Sequence, residues 1–240
     1  MMKNKLETIK SGIHRRRFRW IMVTFFLVIL TFSLSTTMLL LGNTKYSLGL
    51  IIKVLFGEEI KGASFAIGTL RLPRMLSGLL VGMAFGIAGS TFQTMLRNPL
   101  ASPDIIGVTS GSSAAAVFCI LVLKISGNFV LAAAVIAGLL VAAIIYILSK
   151  RGSFPGGRLI LIGIGIQAML NAFISFLLLR ASQYDVPGAL RWLSGSLNGR
   201  QMTDIPGLFI VVVIFGLVII LLGKHLKILE LGEQSAITLV

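Results

Sequence analysis

Six separate apolar runs dominate this chain, at approximately 20–41, 72–92, 105–123, 129–148, 159–179 and 205–222. A helix rises about 1.5 Å per residue, so a run of ~20 apolar residues spans the ~30 Å hydrocarbon core of a bilayer. No single water-soluble domain has enough interior for six such segments. The third and last runs are at the short end of what a crossing needs. Charge agrees with hydropathy: 56% of the 240 residues are hydrophobic and only 12% charged, whereas a soluble domain carries about 25%. The sequence predicts an all-α, polytopic membrane protein: a basic segment at 1–19, then a transmembrane domain over 20–240.

The formal charge is +14. In a membrane chain this points to cytoplasmic loops and anionic lipid headgroups rather than to nucleic acid. Three Tyr and two Trp, with no basic-aromatic platform, argue the same way. Residues 1–19 hold seven Lys or Arg against one acid, Glu7. The apolar run that follows is too long for a signal peptide and lacks a small-residue cleavage site. It reads as a retained span with a cytoplasmic N-terminus. That threading puts 13 of the 22 basic residues inside and places Arg71 and Arg74 at the outer lip of the second span. Two longer connections contain amphipathic stretches, SLGLIIKVLFG at 47–57 and SQYDVPGALRWLSGSLNGR at 182–200. Each predicts a short surface helix, the second after a Pro-Gly break and with Trp192 at interface depth.

No catalytic set appears. A phosphate-binding G-x-x-x-x-G-K-[ST] loop is missing, and GIGIQA at 163–168 lies inside a span with no strand before it. The acids show no pairing, Cys119 sits alone in an apolar run, and His14 and His225 are isolated. No cofactor or metal is expected. Gly78, Gly82 and Gly86 repeat every four residues, a ridge that admits a close helix neighbour. Gln167, Asn171 and Ser175 form one polar stripe on the fifth span. At that depth such groups face protein or water, so they either bond another helix or line a path for a polar solute. No span carries an ionisable residue near its middle, unlike most ion-coupled carriers. Arg97-Asn98-Pro99-Leu100-Ala101-Ser102-Pro103 reads as a tight inside turn.

The stretch RLPRMLSGLLVGMAFGIAGSTFQTMLRNPLASPDIIGVTSG, 71–111, closely resembles the signature of FecCD-type permeases. These are the membrane subunits of ABC importers for iron-siderophores, haem and cobalamin. The likeness continues in RLILIGIGIQAMLNAFIS (158–175), RWLSGSLNG (191–199) and LGEQSAITL (231–239). The resemblance implies a type II ABC importer permease bundle that moves a ferric siderophore, or alternatively haem or cobalamin. It implies three kinds of partner: ABC ATPase subunits, an extracytoplasmic substrate-binding protein and a second permease subunit. ATP hydrolysis then lies on the ATPase chain, and this subunit is no enzyme.

Residue roles follow by position. Arg71 and Arg74 match arginines that dock acidic residues of the binding protein; the plainer alternative is two arginines snorkelling at a helix end. The stripe Gln167, Asn171 and Ser175 falls on the helix that lines the central path. Phe154-Pro155-Gly156-Gly157 matches the cytoplasmic gate, with Pro155, Gly156 and Gly157 where some relatives have small hydroxyl residues. Leu231, Gly232, Glu233 and Ala236 match the start of the segment that couples to the ATPase. The family has roughly ten spans, so the resemblance implies that the chain stops within that coupling segment. Two rivals remain: an ion-coupled secondary transporter and a non-transporting membrane scaffold.

Overall fold

The computed structural model describes residues 2–150 and 155–230. Among them every regular element is helical: α1 (Met2–Leu40), α2 (Leu48–Leu55), a π-helical turn (Phe65–Arg71), α3 (Leu72–Leu96), a 3-10 turn (Pro103–Ile106), α4 (Val108–Leu121), α5 (Asn128–Ser149), α6 (Pro155–Arg180), α7 (Val186–Ser194), α8 (Asp204–Leu221) and α9 (Gly223–Glu230). Among the described residues, five helices are long and apolar enough to cross a membrane: Gly12–Leu40, Phe65–Leu96, Asn128–Ser149, Gly157–Arg180 and Asp204–Leu221.

The third apolar run differs from the sequence expectation. It yields α4, a helix of 14 residues, about 21 Å long and short of a straight crossing. Its start is set by Pro103 and by Gly107, whose φ of 68° is left-handed. Both surface helices form where they were expected, as α2 and α7. α1 runs through residue 19 as one helix.

Apolar side chains cover the spanning helices on the outside. Phe25, Phe32 and Phe26 of α1 are exposed, and the 18 residues of α8 include no buried residue. Such surfaces require lipid or further protein around them, not water. Within α1, the hydroxyls of Thr31, Thr36 and Thr37 donate to the carbonyls of Leu27, Phe32 and Ser33 at 2.8–2.9 Å. These local bonds satisfy polar groups that lipid cannot.

The chain divides into two compact units, residues 1–79 with 199–207, and 80–198 with 208–240. In the first, α1, α2 and the π-helical turn meet around Leu39, Ile51, Ala63 and Ile67. In the second, α4 is the centre. One face puts Ala114, Val117 and Leu121 against Ile174 and Leu177 of α6 and Ala189 of α7. Another sets Ala116 and Cys119 against Val130 and Ala134 of α5, with Trp192 of α7 packed alongside. Phe118 and Phe173 stack between α4 and α6 with centroids 6.5 Å apart.

Small residues let α4 and α5 approach closely. A Cβ added at Gly111 would lie 2.7 Å from Cγ2 of Val141 and 3.1 Å from the Ala137 carbonyl. One added at Gly138 would run into Oγ of Ser112 and lie 3.0 Å from the Val108 carbonyl. Gly111 and Gly138, which the sequence reading did not single out, are thus close-packing glycines of the α4–α5 pair. Gly82 and Gly86 of the expected ridge face open space: a Cβ there would meet nothing within 4 Å.

Candidate functional site

Arg71 and Arg74 come together at one cleft of about 350 Å³. Its walls are the end of α1, the loop after it, and the π-helical turn running into α3, with Gly42, Asn43, Thr44 and Ala66 among the lining residues. The wider π-helical winding ends at Arg71, and Leu72 begins regular α-helix. Pro73, directly after the π-helical turn in a continuous helix, is fully buried; the wider winding before it is where the missing N–H is accommodated. Arg74, one residue on, is exposed.

Arg71 is held by the backbone of the preceding helix and loop. Arg71 is half-buried and donates from Nη1 to the Leu39 carbonyl at 2.7 Å and from Nη2 to the Thr44 carbonyl at 2.6 Å. Its guanidinium also lies over the Tyr46 ring, 4.9 Å from the centroid. The sequence placed both arginines alike, at the lip of one helix. Nothing in a one-turn spacing reveals that Arg71 reaches back 27 and 32 residues to carbonyls of the preceding loop and helix.

The polar stripe lies where the sequence placed it, on α6. Asn171 and Ser175 are exposed and Gln167 is half-buried. The three side chains bond no other described residue, while Ile174 and Leu177 on the neighbouring face pack into the core. From Gln167 to Ser175 the stripe runs about 12 Å along the helix. Pro155, Gly156 and Gly157 form the opening turn of α6 rather than a separate loop. Proline suits that position because the first N–H groups of a helix have no helical acceptor. Phe154 and the coupling residues Leu231, Gly232, Glu233 and Ala236 lie outside the described residues. No group of three or more His, Cys, Asp or Glu comes together among those described.

A second polar surface sits at the far end of α3. Ser90, Gln93, Thr94, Arg97, Asn98 and Pro99 line a shallow cleft of about 370 Å³. The expected turn is present there: Asn98 Oδ1 accepts the Leu100 N–H at 2.9 Å, and Arg97 takes a left-handed φ of 49°.

Comparison with known proteins adds to this geometry. The profile of the FecCD transport family matches residues 25–239. The ferric enterobactin transport system permease protein of Escherichia coli is 31% identical over 189 residues, covering 79% of this chain and 57% of the relative. The cobalamin import system permease protein of Halobacterium salinarum is 35% identical over 178 residues, covering 74% and 48%. A solved structure of an inward-facing metal-chelate type ABC transporter superposes with a TM-score of 0.77 at 26% identity, covering 90% of this chain and 67% of that one. The chain spans about half the length of these two relatives.

Proposed function

Because the chain belongs to the FecCD transport family, we propose that it is part of the membrane permease of an ABC importer for ferric siderophores. The family match over 25–239 carries this reading. The relatives' names supply the substrate class: one is named for ferric enterobactin and the other for cobalamin, both large metal chelates. The permease does no chemistry on its cargo. It alternates between two arrangements that ATP binding on one side and a docked protein on the other bias unequally.

The proposed partners are two ATPase subunits on the inside, a second permease subunit, and a binding protein that delivers the chelate outside. The N-terminus is cytoplasmic in this reading, as the seven basic residues of 1–19 favour. Arg71 and Arg74 mark the outer docking cleft, where carboxylates of the binding protein meet guanidinium groups. The ridge Gly78, Gly82 and Gly86, open at Gly82 and Gly86, seats a helix from elsewhere in the assembly. Pro155, Gly156 and Gly157 stand at the inner gate, and Leu231, Gly232, Glu233 and Ala236 belong to the ATPase-coupling segment.

Gln167, Asn171 and Ser175 line the path. A large chelate shedding water needs replacement hydrogen bonds, and an uncharged stripe supplies them without trapping the cargo. Changing Gln167 and Asn171 together to Leu is expected to lower uptake of radiolabelled ferric siderophore about 30-fold, as two lost hydrogen bonds of ~1 kcal/mol each imply. The amount of assembled transporter should stay the same. Normal uptake in a correctly assembled double variant would remove the stripe from the path. Uptake of cobalamin and not of ferric siderophore by the native protein would move the substrate to the other chelate.

A further inference from the structure

α1 is longer than the hydrocarbon of a membrane requires. Its candidate span, Gly12–Leu40, has 29 residues. That is a length of about 44 Å, against about 30 Å of hydrocarbon and about 40–45 Å with the headgroup layers. With residues 20–40 in hydrocarbon, the turns from Gly12 to Arg19 stand at headgroup depth. Those turns carry Arg15, Arg16, Arg17 and Arg19, all exposed.

The four arginines are not spread evenly around the helix. At about 100° per residue, Arg15, Arg16 and Arg19 fall within one arc of about 100°, and Arg17 falls on the other side. Gly12 shares the arc of the three, one turn earlier, and a Cβ there would meet nothing within 4 Å. Gly12, Arg15, Arg16 and Arg19 together line a concavity of about 620 Å³. The glycine leaves room for a polar group between the guanidinium groups. No carboxylate of the described residues pairs with the three. Glu7, the one acid of residues 1–19, lies about 12 Å along the helix from Arg15. Three like charges this close repel one another, so an anion placed among them is favoured.

The same arc continues into apolar residues. Val23, Phe26, Leu30 and Leu34 fall within it, and all four are exposed. The other side of α1, which Arg17 shares, is used differently. There Thr24, Val28, Thr31 and Leu39 line an apolar groove whose far wall is α2 and the start of α3. From Arg19 to Leu30 the helix rises about 16 Å, close to the ~15 Å of hydrocarbon in one leaflet. One side of α1 thus presents three guanidinium groups and, directly beyond them, one leaflet's depth of apolar surface. An anionic phospholipid carries the same order of chemistry, a phosphate and then acyl chains. An acidic protein would match the arginines and leave Phe26 and Leu30 unmatched. A zwitterionic lipid would bring a cation of its own to the arginines.

We infer that Gly12, Arg15, Arg16 and Arg19 form a binding site for the headgroup of an anionic phospholipid, with its acyl chain lying along Val23, Phe26 and Leu30. Guanidinium forks suit phosphate, since each can bind two of its oxygens. Occupation sets how deep α1 sits and how it is turned about its own axis, because only one side of the helix carries the site. The inference concerns α1 and the membrane, and it holds whichever chelate the importer carries.

The test uses the full-length permease, assembled with its partner subunits, in phosphatidylcholine nanodiscs. A minority of the lipid is phosphatidylglycerol with a photoreactive diazirine on its acyl chain. Cross-links located by mass spectrometry should concentrate at Val23, Phe26 and Leu30. Retention of phosphatidylglycerol relative to phosphatidylcholine is then read by native mass spectrometry. Arg19→Gln should weaken it about fivefold, the worth of one basic residue at an anionic surface, and glutamine at 15, 16 and 19 together about 100-fold. Arg17→Gln removes the same charge from the same stretch and should stay within about twofold.

Equal losses in Arg17→Gln and Arg19→Gln would overturn the site and leave a diffuse basic segment. Cross-links at Thr24 and Val28 instead would overturn it as well. Cross-links that appear only when the ATPase subunits are removed would give the arginines to an acidic face of the ATPase. The cross-linking needs no substitution, so it decides the matter even if a variant fails to insert.

Discussion

Replacing Gly138 by valine is expected to destabilise the α4–α5 pair by about 3 kcal/mol and to lower the unfolding temperature of the detergent-solubilised protein. The first added carbon already runs into Ser112 Oγ and stands 3.0 Å from the Val108 carbonyl. Serine can turn away, but the carbonyl belongs to α4's own backbone and cannot. The two γ-methyl groups of valine then demand that the helices separate. Separation would loosen Val130 and Ala134 from Ala116 and Cys119, a contact at the centre of the second unit. Alanine at 138 should cost less, because its single methyl needs a smaller shift and removing a helical glycine regains up to about 1 kcal/mol of propensity. Thermal unfolding of native, Ala and Val forms checks the order. A valine variant as stable as the native protein would mean that α4 and α5 do not approach closely at this point.

The second large effect concerns the cleft lined by Arg71 and Arg74. Charge reversal of Arg74 to Glu is expected to weaken binding of the substrate-binding protein by a factor of about 100 or more. A lost charge-assisted hydrogen bond is worth about 1.5–3 kcal/mol, and like charges placed across an interface add to the penalty. Reversing Arg71 as well should deepen the loss, since Leu39 and Thr44 then lose the bonds from its guanidinium too. The remaining affinity should fall less with added salt than the native affinity does, because an attractive pair has been removed. Surface binding measurements at two ionic strengths check both points. Native affinity in a folded, inserted Arg74→Glu protein would show that the binding protein docks elsewhere.

Local patterns carried most of the fold. Long apolar runs located the five spanning helices, and the amphipathic stretches at 47–57 and 182–200 located α2 and α7. Pro187 and Gly195, at the two ends of α7, are local signals that any chain reader can use. The shortening of α4 was partly legible too. Pro103 and Gly107 stood in plain view, but hydropathy averaged over the run passes smoothly across them.

What escaped the sequence was non-local. Gly78, Gly82 and Gly86 carry the usual small-residue spacing yet meet no described helix at positions 82 and 86. Gly111 and Gly138 sit on different helices, and no spacing rule links them before the fold does. Arg71 is the sharpest case. Its neighbours in sequence suggested an outward charge, whereas its bonds go to Leu39 and Thr44. The π-helical winding of Phe65–Arg71, which sets where that side chain starts, has no signature in FAIGTLR.

The most direct measurement is uptake of a radiolabelled ferric siderophore into proteoliposomes holding the full-length permease, its second permease subunit and its ATPase subunits, with binding protein outside. ATP inside the vesicles should drive accumulation without any ion gradient, and an ATPase variant unable to hydrolyse ATP should abolish it. Accumulation driven by a proton or sodium gradient, and indifferent to ATP, would contradict the account and make the chain part of an ion-coupled carrier.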